Sequence, residues 1–191
     1  MRIFAIILVL FLFNAPSFAQ WRSYYPEGKS TKKEQEKVDD KKKRNLFETH
    51  LFNALRAKSL EDYDEALKYF QKCINTGIDD PLPFYESAII NKTNGSYEIA
   101  IEQIKSAVKL NPNNRWYLLL YAEILFSKQD FINASVQYKK LIDREPENED
   151  LYFKLSDAYI YSKNLKKAIS VYEDLQRNKG FNKMLSMQKH K

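Results

Sequence analysis

RWYLLLYAEILFSKQDFINASVQYKKLIDREPEN, residues 115–148, contains the pattern that decides the fold of this chain. Within it, Ala134 follows the bulky Phe131 by three residues and precedes Tyr138 by four, so the three side chains share one face of a helix. A second small residue, Ala122, lies twelve residues before Ala134. Because small side chains let two backbones approach closely, the stretch predicts two helices packed against each other.

The same pattern recurs along the chain at one constant spacing. The earlier small residue of each copy is Ala54, Ala88, Ala122 or Ser156, and the later one is Ala66, Ala100, Ala134 or Ala168. A fixed period of this kind is typical of a stacked-repeat solenoid, in which each unit buries its apolar face against the next. We therefore predict an all-α solenoid of four antiparallel helix pairs.

Short polar segments and prolines separate the predicted helices. The breaks within the pairs are residues 94–96, 128–130 and 162–164. Turns this short force the two helices of a pair to run antiparallel. Between pairs, Pro112 and Pro146 lack the N–H donor that would continue a helix, and Gly77 and Gly180 mark the other two boundaries.

These residues resemble the tetratricopeptide repeat, whose 34-residue pattern has small residues, aromatic residues and a late proline at fixed positions. The resemblance places a repeat domain at residues 46–182. Its four units are residues 47–80, 81–114, 115–148 and 149–182. It implies a tetratricopeptide superhelix, followed at residues 183–191 by the start of a further helix that belongs to an incomplete fifth unit.

The first helix of the first unit departs from the family pattern. His50 occupies a position where the family has a large apolar residue, and the apolar face is shifted to Leu51, Phe52 and Leu55. A terminal repeat is often atypical because its outer face meets water, so we interpret this helix as an N-terminal cap. Asn91 in the second unit is a smaller departure that we expect to weaken the packing.

The resemblance implies that the first helices of the pairs line a concave groove that binds protein. Family members that clamp C-terminal carboxylates have lysine and asparagine in the early units, whereas this chain has apolar residues there. We therefore expect an apolar helix or peptide as the ligand; the alternative is that several of these rings pack between adjacent repeats. The predicted groove residues are Leu51, Leu55, Tyr85, Ile89, Trp116, Leu119, Phe126, Phe153, Ile160 and Tyr161.

Residues 1–19 have the pattern of a secretory signal peptide. Arg2 precedes a run of eleven apolar residues, which is too short to span a bilayer, and Ser17 and Ala19 form a small-x-small cleavage site. We expect cleavage after Ala19 and export to the periplasm or envelope; an uncleaved anchor is the alternative. Residues 20–45 form a charged linker that we expect to be disordered or a frayed helix.

The net charge of +6 is concentrated in this linker. Residues 29–44 contain eight bases and four acids, whereas residues 45–191 carry a net charge of only +1. A nearly neutral repeat domain lacks the one-sided positive field that phosphate binding requires, so no nucleic-acid partner is expected. The linker is predicted to be a solvated tether, with contact to an anionic membrane surface as the alternative.

The chain shows no residue pattern of catalysis, metal binding or cofactor binding. The two histidines, His50 and His190, lack metal-ligand spacing, and the four glycines are too scattered for a phosphate-binding loop. The lone Cys73 is interpreted as a buried apolar side chain, with a reactive thiol as the alternative. We therefore predict no enzymatic activity, no cofactor, no metal and no small-molecule substrate.

The C-terminal segment is similar to that of exported repeat proteins of the Bacteroidetes, whose arrays run longer. The similarity rests on Gly180-Phe181-Asn182 and the later Leu185-Ser186-Met187-Gln188-Lys189. We expect either a fragment of a longer array or a short protein whose last face is covered by a partner. The function expected from the whole pattern is a non-catalytic interaction scaffold in the cell envelope; the alternative is the sensory portion of a longer membrane-linked signalling regulator.

Overall fold

The computed structural model describes the backbone of residues 31–188 and the side chains of residues 31–179. This part of the chain forms eight α-helices and no strand. The helices are α1 Lys32–Ser59, α2 Tyr63–Asn75, α3 Leu82–Thr93, α4 Tyr97–Leu110, α5 Arg115–Ser127, α6 Phe131–Ile142, α7 Glu149–Tyr161 and α8 Leu165–Gln188. The chain divides into two compact units, residues 1–42 and residues 43–191.

In the first compact unit, residues 31–42 begin α1 with a capping box. The backbone N–H of Thr31 donates to the Glu34 carboxylate at 2.7 Å, and the N–H of Glu34 donates to the Thr31 hydroxyl at 3.4 Å. These bonds satisfy two amide groups that a helix start otherwise leaves unpaired. Of the two states expected for residues 20–45, disordered or a frayed helix, the described residues 32–45 have the helical one. The predicted signal peptide and residues 20–30 lie outside the described residues.

In the second compact unit the helices form antiparallel pairs, and the small residues lie where the helices of each pair meet. Ala54, Ala88, Ala122 and Ser156 are all fully buried, as the pattern predicts. Ala66, Ala100 and Ala134 are buried equally completely on the second helices. The described residues confirm the predicted all-α array of helix pairs.

Each pair turns through one residue with a left-handed backbone. These residues are Glu61 (φ 60°), Gly95 (φ 75°), Gln129 (φ 67°) and Lys163 (φ 61°), one at the same position of every repeat. At each turn the next amide bonds back to a carbonyl five residues earlier, for example Asp130 N–H to Leu125 O at 2.8 Å. This bond belongs to the Schellman motif that ends many helices. The side chain of Asp130 then accepts from the N–H of Asn133 at 3.3 Å and caps α6.

The buried face of α1 in the second compact unit differs from the predicted one. Phe47, Ala54 and Ala57 are buried, whereas Phe52 is 67% exposed and Leu55 is 39% exposed. The predicted shift of the apolar face to Phe52 and Leu55 is therefore wrong. The buried residues are spaced seven and three apart, which keeps them on one helical face, and Phe52 does not share that face.

Asn91 does not leave a packing defect in the second pair. Its side-chain amide donates to the Ser87 carbonyl and to the Gln103 side chain, both at 2.9 Å. Because Gln103 lies on α4, its partly buried bond to Asn91 ties the two helices of the pair together. The expected weakening of the packing at Asn91 is offset by satisfied hydrogen bonds.

Helix α8 continues without a break from Leu165 to Gln188. The predicted boundary at Gly180 and the separate helix at residues 183–191 are therefore wrong for residues 183–188. A single glycine costs a helix about 1 kcal/mol and does not forbid it, whereas proline does. No proline follows Gly180. Among the described residues, no helix is long and apolar enough to span a bilayer.

A candidate protein-binding groove

The first helices of consecutive pairs are joined by ion pairs across one surface. Lys58 on α1 pairs with Glu86 on α3, and Lys92 on α3 pairs with Glu123 on α5 at 2.9 Å. Lys154 on α7 lies 3.9 Å from the same Glu123. These contacts place α1, α3, α5 and α7 side by side in chain order, as the groove prediction requires.

A cavity of about 440 Å³ opens between α3 and α5. Four of the predicted groove residues line it, namely Tyr85, Ile89, Trp116 and Leu119. The lining is completed by Lys92, Thr93, Leu120, Glu123 and Ser127. We call this space the central cavity.

Trp116 provides the largest exposed ring of the central cavity. The side chain of Asn114 accepts from the N–H of Trp116 at 2.9 Å, which caps α5 and fixes the first turn that carries the ring. The Arg115 guanidinium lies 4.6 Å from the Trp116 ring centroid, within the range of a cation–π contact. Trp116 is 56% exposed and thus presents an apolar surface to solvent at the mouth of the cavity.

Tyr85 forms the opposite wall and remains neutral. Its ring lies 4.9 Å from that of Tyr117, centroid to centroid, which joins α3 to α5. Burial, followed by the negative charge of Glu86, raises the pKa of the Tyr85 hydroxyl above its ordinary value. The polar groups of the central cavity are therefore a neutral phenol and the Lys92–Glu123 ion pair, together with the hydroxyls of Thr93 and Ser127.

A second cavity, of about 320 Å³, lies next to it between α5 and α7. It shares Lys92, Glu123 and Ser127 with the central cavity and adds Phe126, Tyr138, Lys154 and Asp157. Burial raises the pKa of the Tyr138 hydroxyl above its usual range, so this group is also neutral. The two cavities form one elongated site, which we call the groove.

Three rings pack together, and one of them, Phe126, lines the second cavity. The Phe126 centroid lies 5.1 Å from Phe131 and 5.5 Å from Tyr161, and Phe131 stacks on Tyr161 at 5.2 Å. The rings of Phe126 and Tyr161 therefore pack between adjacent repeats, which is the alternative stated in the sequence analysis. Tyr161 is nevertheless 61% exposed. Phe131 was absent from the predicted groove set; its only sequence signal is its place three residues before Ala134, which also suits a core residue.

Five of the predicted groove residues line neither cavity, and Tyr161 is one of them. Leu51 packs partly buried against the core formed by α1 and α2, and Leu55 lies on the same helix with 39% exposure. Phe153 and Ile160, on α7, are 45% and 43% exposed. The equivalent residues Leu119 and Phe126 line cavities between two first helices, whereas no described first helix comes after α7.

Two observations on the described residues concern metal binding and the reactivity of the single cysteine. No group of three or more histidine, cysteine or acidic side chains is close enough to hold a metal ion among them. Cys73 is fully buried, and burial together with the charge of Asp80 raises the pKa of its thiol to about 11. A thiol with this pKa is almost wholly protonated near neutral pH, so it is a poor nucleophile.

Sequence comparison finds similarity to tetratricopeptide repeats. The tetratricopeptide repeat family model matches residues 57–76 and 149–179. The chain is 26% identical over 123 residues to the TPR repeat-containing protein MJ1428 of Methanocaldococcus jannaschii. The match covers 64% of the chain but only 22% of that relative, so the chain spans about a fifth of its length. These matches support a tetratricopeptide repeat protein.

Solved structures show the same fold at low sequence identity. MamA from Desulfovibrio magneticus RS-1 is similar with a TM-score of 0.62 and 20% identity, over 70% of this chain and 75% of that one. YrrB, described as a TPR protein with an unusual peptide-binding site, is similar with a TM-score of 0.58 and 19% identity, over 72% and 71% of the two chains. Both likenesses confirm the predicted solenoid of helix pairs.

Proposed function

We propose that the chain is a non-catalytic protein-interaction scaffold whose groove binds an apolar helix or peptide. The observation that carries the proposal is the central cavity, in which the exposed ring of Trp116 meets Tyr85, Ile89 and Leu119. Aromatic residues in concave, partly desolvated sites often contribute most of the binding energy of a protein interface. The likeness to YrrB, a protein with a peptide-binding site, gives further support.

The shape of the groove favours a chain-like ligand over a compact small molecule. Its two cavities are joined through shared residues and extend across α3, α5 and α7. A small-molecule site is usually one enclosed pocket with a few converging polar groups. An elongated open groove instead fits a polypeptide segment that places one apolar side chain in each cavity.

The charges of the groove disfavour a ligand segment with acidic side chains. Lys92 is already paired with Glu123, and Lys154 is paired with Glu123 and with Asp150 at 3.7 Å. A carboxylate on the ligand would compete with these internal pairs and would have to lose its own water. The hydroxyls of Thr93 and Ser127 at the rim can still bond with the peptide backbone of a ligand.

Peptide selection tests this proposal. Random twelve-residue peptides displayed on phage are selected against the full chain, and the dissociation constants of the enriched peptides are measured by fluorescence anisotropy. We expect enrichment of peptides rich in Leu, Ile and Phe and poor in Asp and Glu. The double variant W116S/L119S should weaken their binding at least about tenfold, because it removes the two largest apolar contacts of the central cavity.

A matched control separates groove binding from general surface stickiness. Ile132 and Val136 on α6 are 70% and 47% exposed and line neither cavity. The variant I132S/V136S therefore removes a similar apolar area elsewhere and should leave the dissociation constants unchanged. Circular dichroism at 222 nm checks that both variants remain helical. Equal losses in the two variants would refute the groove as the binding site.

The proposal includes export to the cell envelope through residues 1–19. It is supported by the run of eleven apolar residues after Arg2 and by the small residues Ser17 and Ala19. Expression of the full chain in a Gram-negative host, with N-terminal sequencing of the product in the periplasmic fraction, tests it. We expect a mature chain that begins at Gln20; an intact Met1 in the cytosol would contradict export.

A further inference from the structure

The last described helix pair, α7 and α8, has an apolar face that is covered in every earlier pair. The four large side chains at the same repeat position on the second helices show the difference. Phe70 and Ile104 are 0% exposed and Tyr138 is 3% exposed, whereas Tyr172 is 41% exposed. Ile169 is likewise 60% exposed, although its equivalent Ser135 is buried.

Within the array this face is covered by the first helix of the next pair. Tyr138 on α6 packs in one buried cluster with Leu151, Leu155 and Ala158 of α7. These three covering residues are spaced four and three apart, so they form one stripe along α7. A helix that covers the face of α8 therefore needs apolar residues at the same spacing.

Helix α8 itself carries such a stripe. Leu165, Ile169 and Tyr172 are spaced four and three apart and are 61%, 60% and 41% exposed. We call these three residues the end stripe. The ring of Phe153 on α7 lies 6.2 Å from that of Tyr172 and extends the apolar surface beyond the stripe. The end stripe thus has the same residue spacing as the stripe of α7 that covers α6. The end stripe of one chain can therefore cover the end stripe of another chain.

The opposite end of the array does not offer a matching face. The residues of α1 equivalent to Leu151, Leu155 and Ala158, three repeats earlier, are Thr49, Asn53 and Arg56. Thr49 and Arg56 are exposed, and all three are polar. Head-to-tail stacking would therefore place polar groups on the end stripe, which leaves them without compensating hydrogen bonds.

We propose that the end stripe binds a second copy of this chain, with the two α8 helices antiparallel across a two-fold axis. The stripe is then self-complementary, as an isologous interface requires. The charges along α8 agree with this arrangement. Lys166 and Glu173 flank the stripe on the same side and form no ion pair with another described residue. In an antiparallel pair, Lys166 of one copy faces Glu173 of the other, and the two-fold axis makes two such pairs.

The oligomeric state of the full chain tests the arrangement. Sedimentation equilibrium should show a reversible dimer, and the variant Ile169→Asp should raise its dissociation constant at least about tenfold, because the dimer then buries two carboxylates. The control Ile132→Asp introduces the same charge on α6, at a residue that is 70% exposed, and should dimerise like the unmodified chain. Circular dichroism confirms that both variants are folded.

A charge exchange tests the antiparallel orientation. Lys166→Glu alone places like charges opposite each other and should weaken the dimer a fewfold, and the double variant K166E/E173K should restore it. A monomer at all concentrations up to about 100 µM would overturn the proposal in favour of another protein on this face. A dimer that Ile169→Asp leaves intact, or a charge exchange that does not restore binding, would overturn it equally.

This proposal is independent of the groove. The variant W116S/L119S, which should lose peptide binding, should keep the dimer, because neither residue lies on α7 or α8. Ile169→Asp should in turn keep peptide binding. The experiments therefore distinguish failure of the dimer proposal from failure of the groove proposal.

Discussion

Replacing Ser156 with alanine is expected to stabilise the last helix pair. Ser156 is fully buried on α7, and its hydroxyl oxygen has no hydrogen-bond partner in the structure. The three equivalent residues are Ala54, Ala88 and Ala122, which are also fully buried. The site therefore has the shape of an alanine site, and the extra oxygen carries an uncompensated desolvation cost.

The magnitude is the sum of three contributions. An unpaired buried hydroxyl costs about 1–3 kcal/mol, and alanine gains about 0.5 kcal/mol of helix propensity over serine. Removal of the oxygen leaves a small gap, and the lost dispersion contacts lower the gain in stability by a few tenths of a kcal/mol. We expect Ser156→Ala to raise the free energy of unfolding by about 1–3 kcal/mol, with most of the gain from the desolvation term.

Urea unfolding followed by circular dichroism at 222 nm measures this effect. With a slope of about 2 kcal/mol per M, the midpoint should rise by roughly 0.5–1.5 M. Ser170→Ala is the matched control on α8, because the Ser170 hydroxyl is exposed and donates to the Lys167 carbonyl at 2.9 Å. Its midpoint should move by less than half as much. If Ser156→Ala lowers the midpoint, or only equals the control, the buried hydroxyl has a partner and the reasoning is refuted.

Three further perturbations concern the backbone, the buried thiol and a buried phenol. Gln129→Gly should stabilise the chain by about 0.5–1 kcal/mol in urea unfolding, because φ at this residue is 67° and glycine has no Cβ penalty there; a loss of stability would contradict the left-handed turn. Cys73 has a thiol pKa of about 11 and no exposed surface. At pH 8 it should therefore react with a thiol reagent at least about a hundredfold more slowly in the native chain than in urea. Similar rates in the two states would contradict its burial. Tyr152→Phe should cost about 1–2 kcal/mol in the same unfolding assay, because its hydroxyl donates to the Pro146 carbonyl at 3.1 Å and accepts from Asn178 at 2.6 Å; an unchanged midpoint would show that these bonds contribute nothing.

The helix pairs were predictable because the fold repeats a local pattern. The residues around Ala134 are close in sequence and on one helical face, so their spacing alone indicates the helix and its buried side. The central cavity was predictable for a related reason. Tyr85 and Leu119 are separated by one full repeat and therefore occupy the same place on neighbouring first helices, which brings them to one cavity.

The ends of the array were predicted less well, because the repeat pattern carries no information about the chain beyond the last unit. Phe153 has the same position in its unit as Leu119, but no described helix covers it. Helix α8 continues through Gly180, where the pattern alone suggested a boundary. At the other end, the capping signal of Thr31 and Glu34 was present in the sequence, but the high charge of the segment left disorder and a frayed helix equally open.

The central claim is that a ligand segment lies in the cavity between α3 and α5. Photo-crosslinking tests it most directly, with a benzophenone amino acid placed at Leu119 in one variant and at Val136 in another, and a peptide from the phage selection as the probe. Mass spectrometry of the adducts should show crosslinking to the peptide from Leu119, which lines the cavity, and none from Val136 on α6. Crosslinks of equal yield from both, or from Val136 alone, would contradict the groove as the binding site.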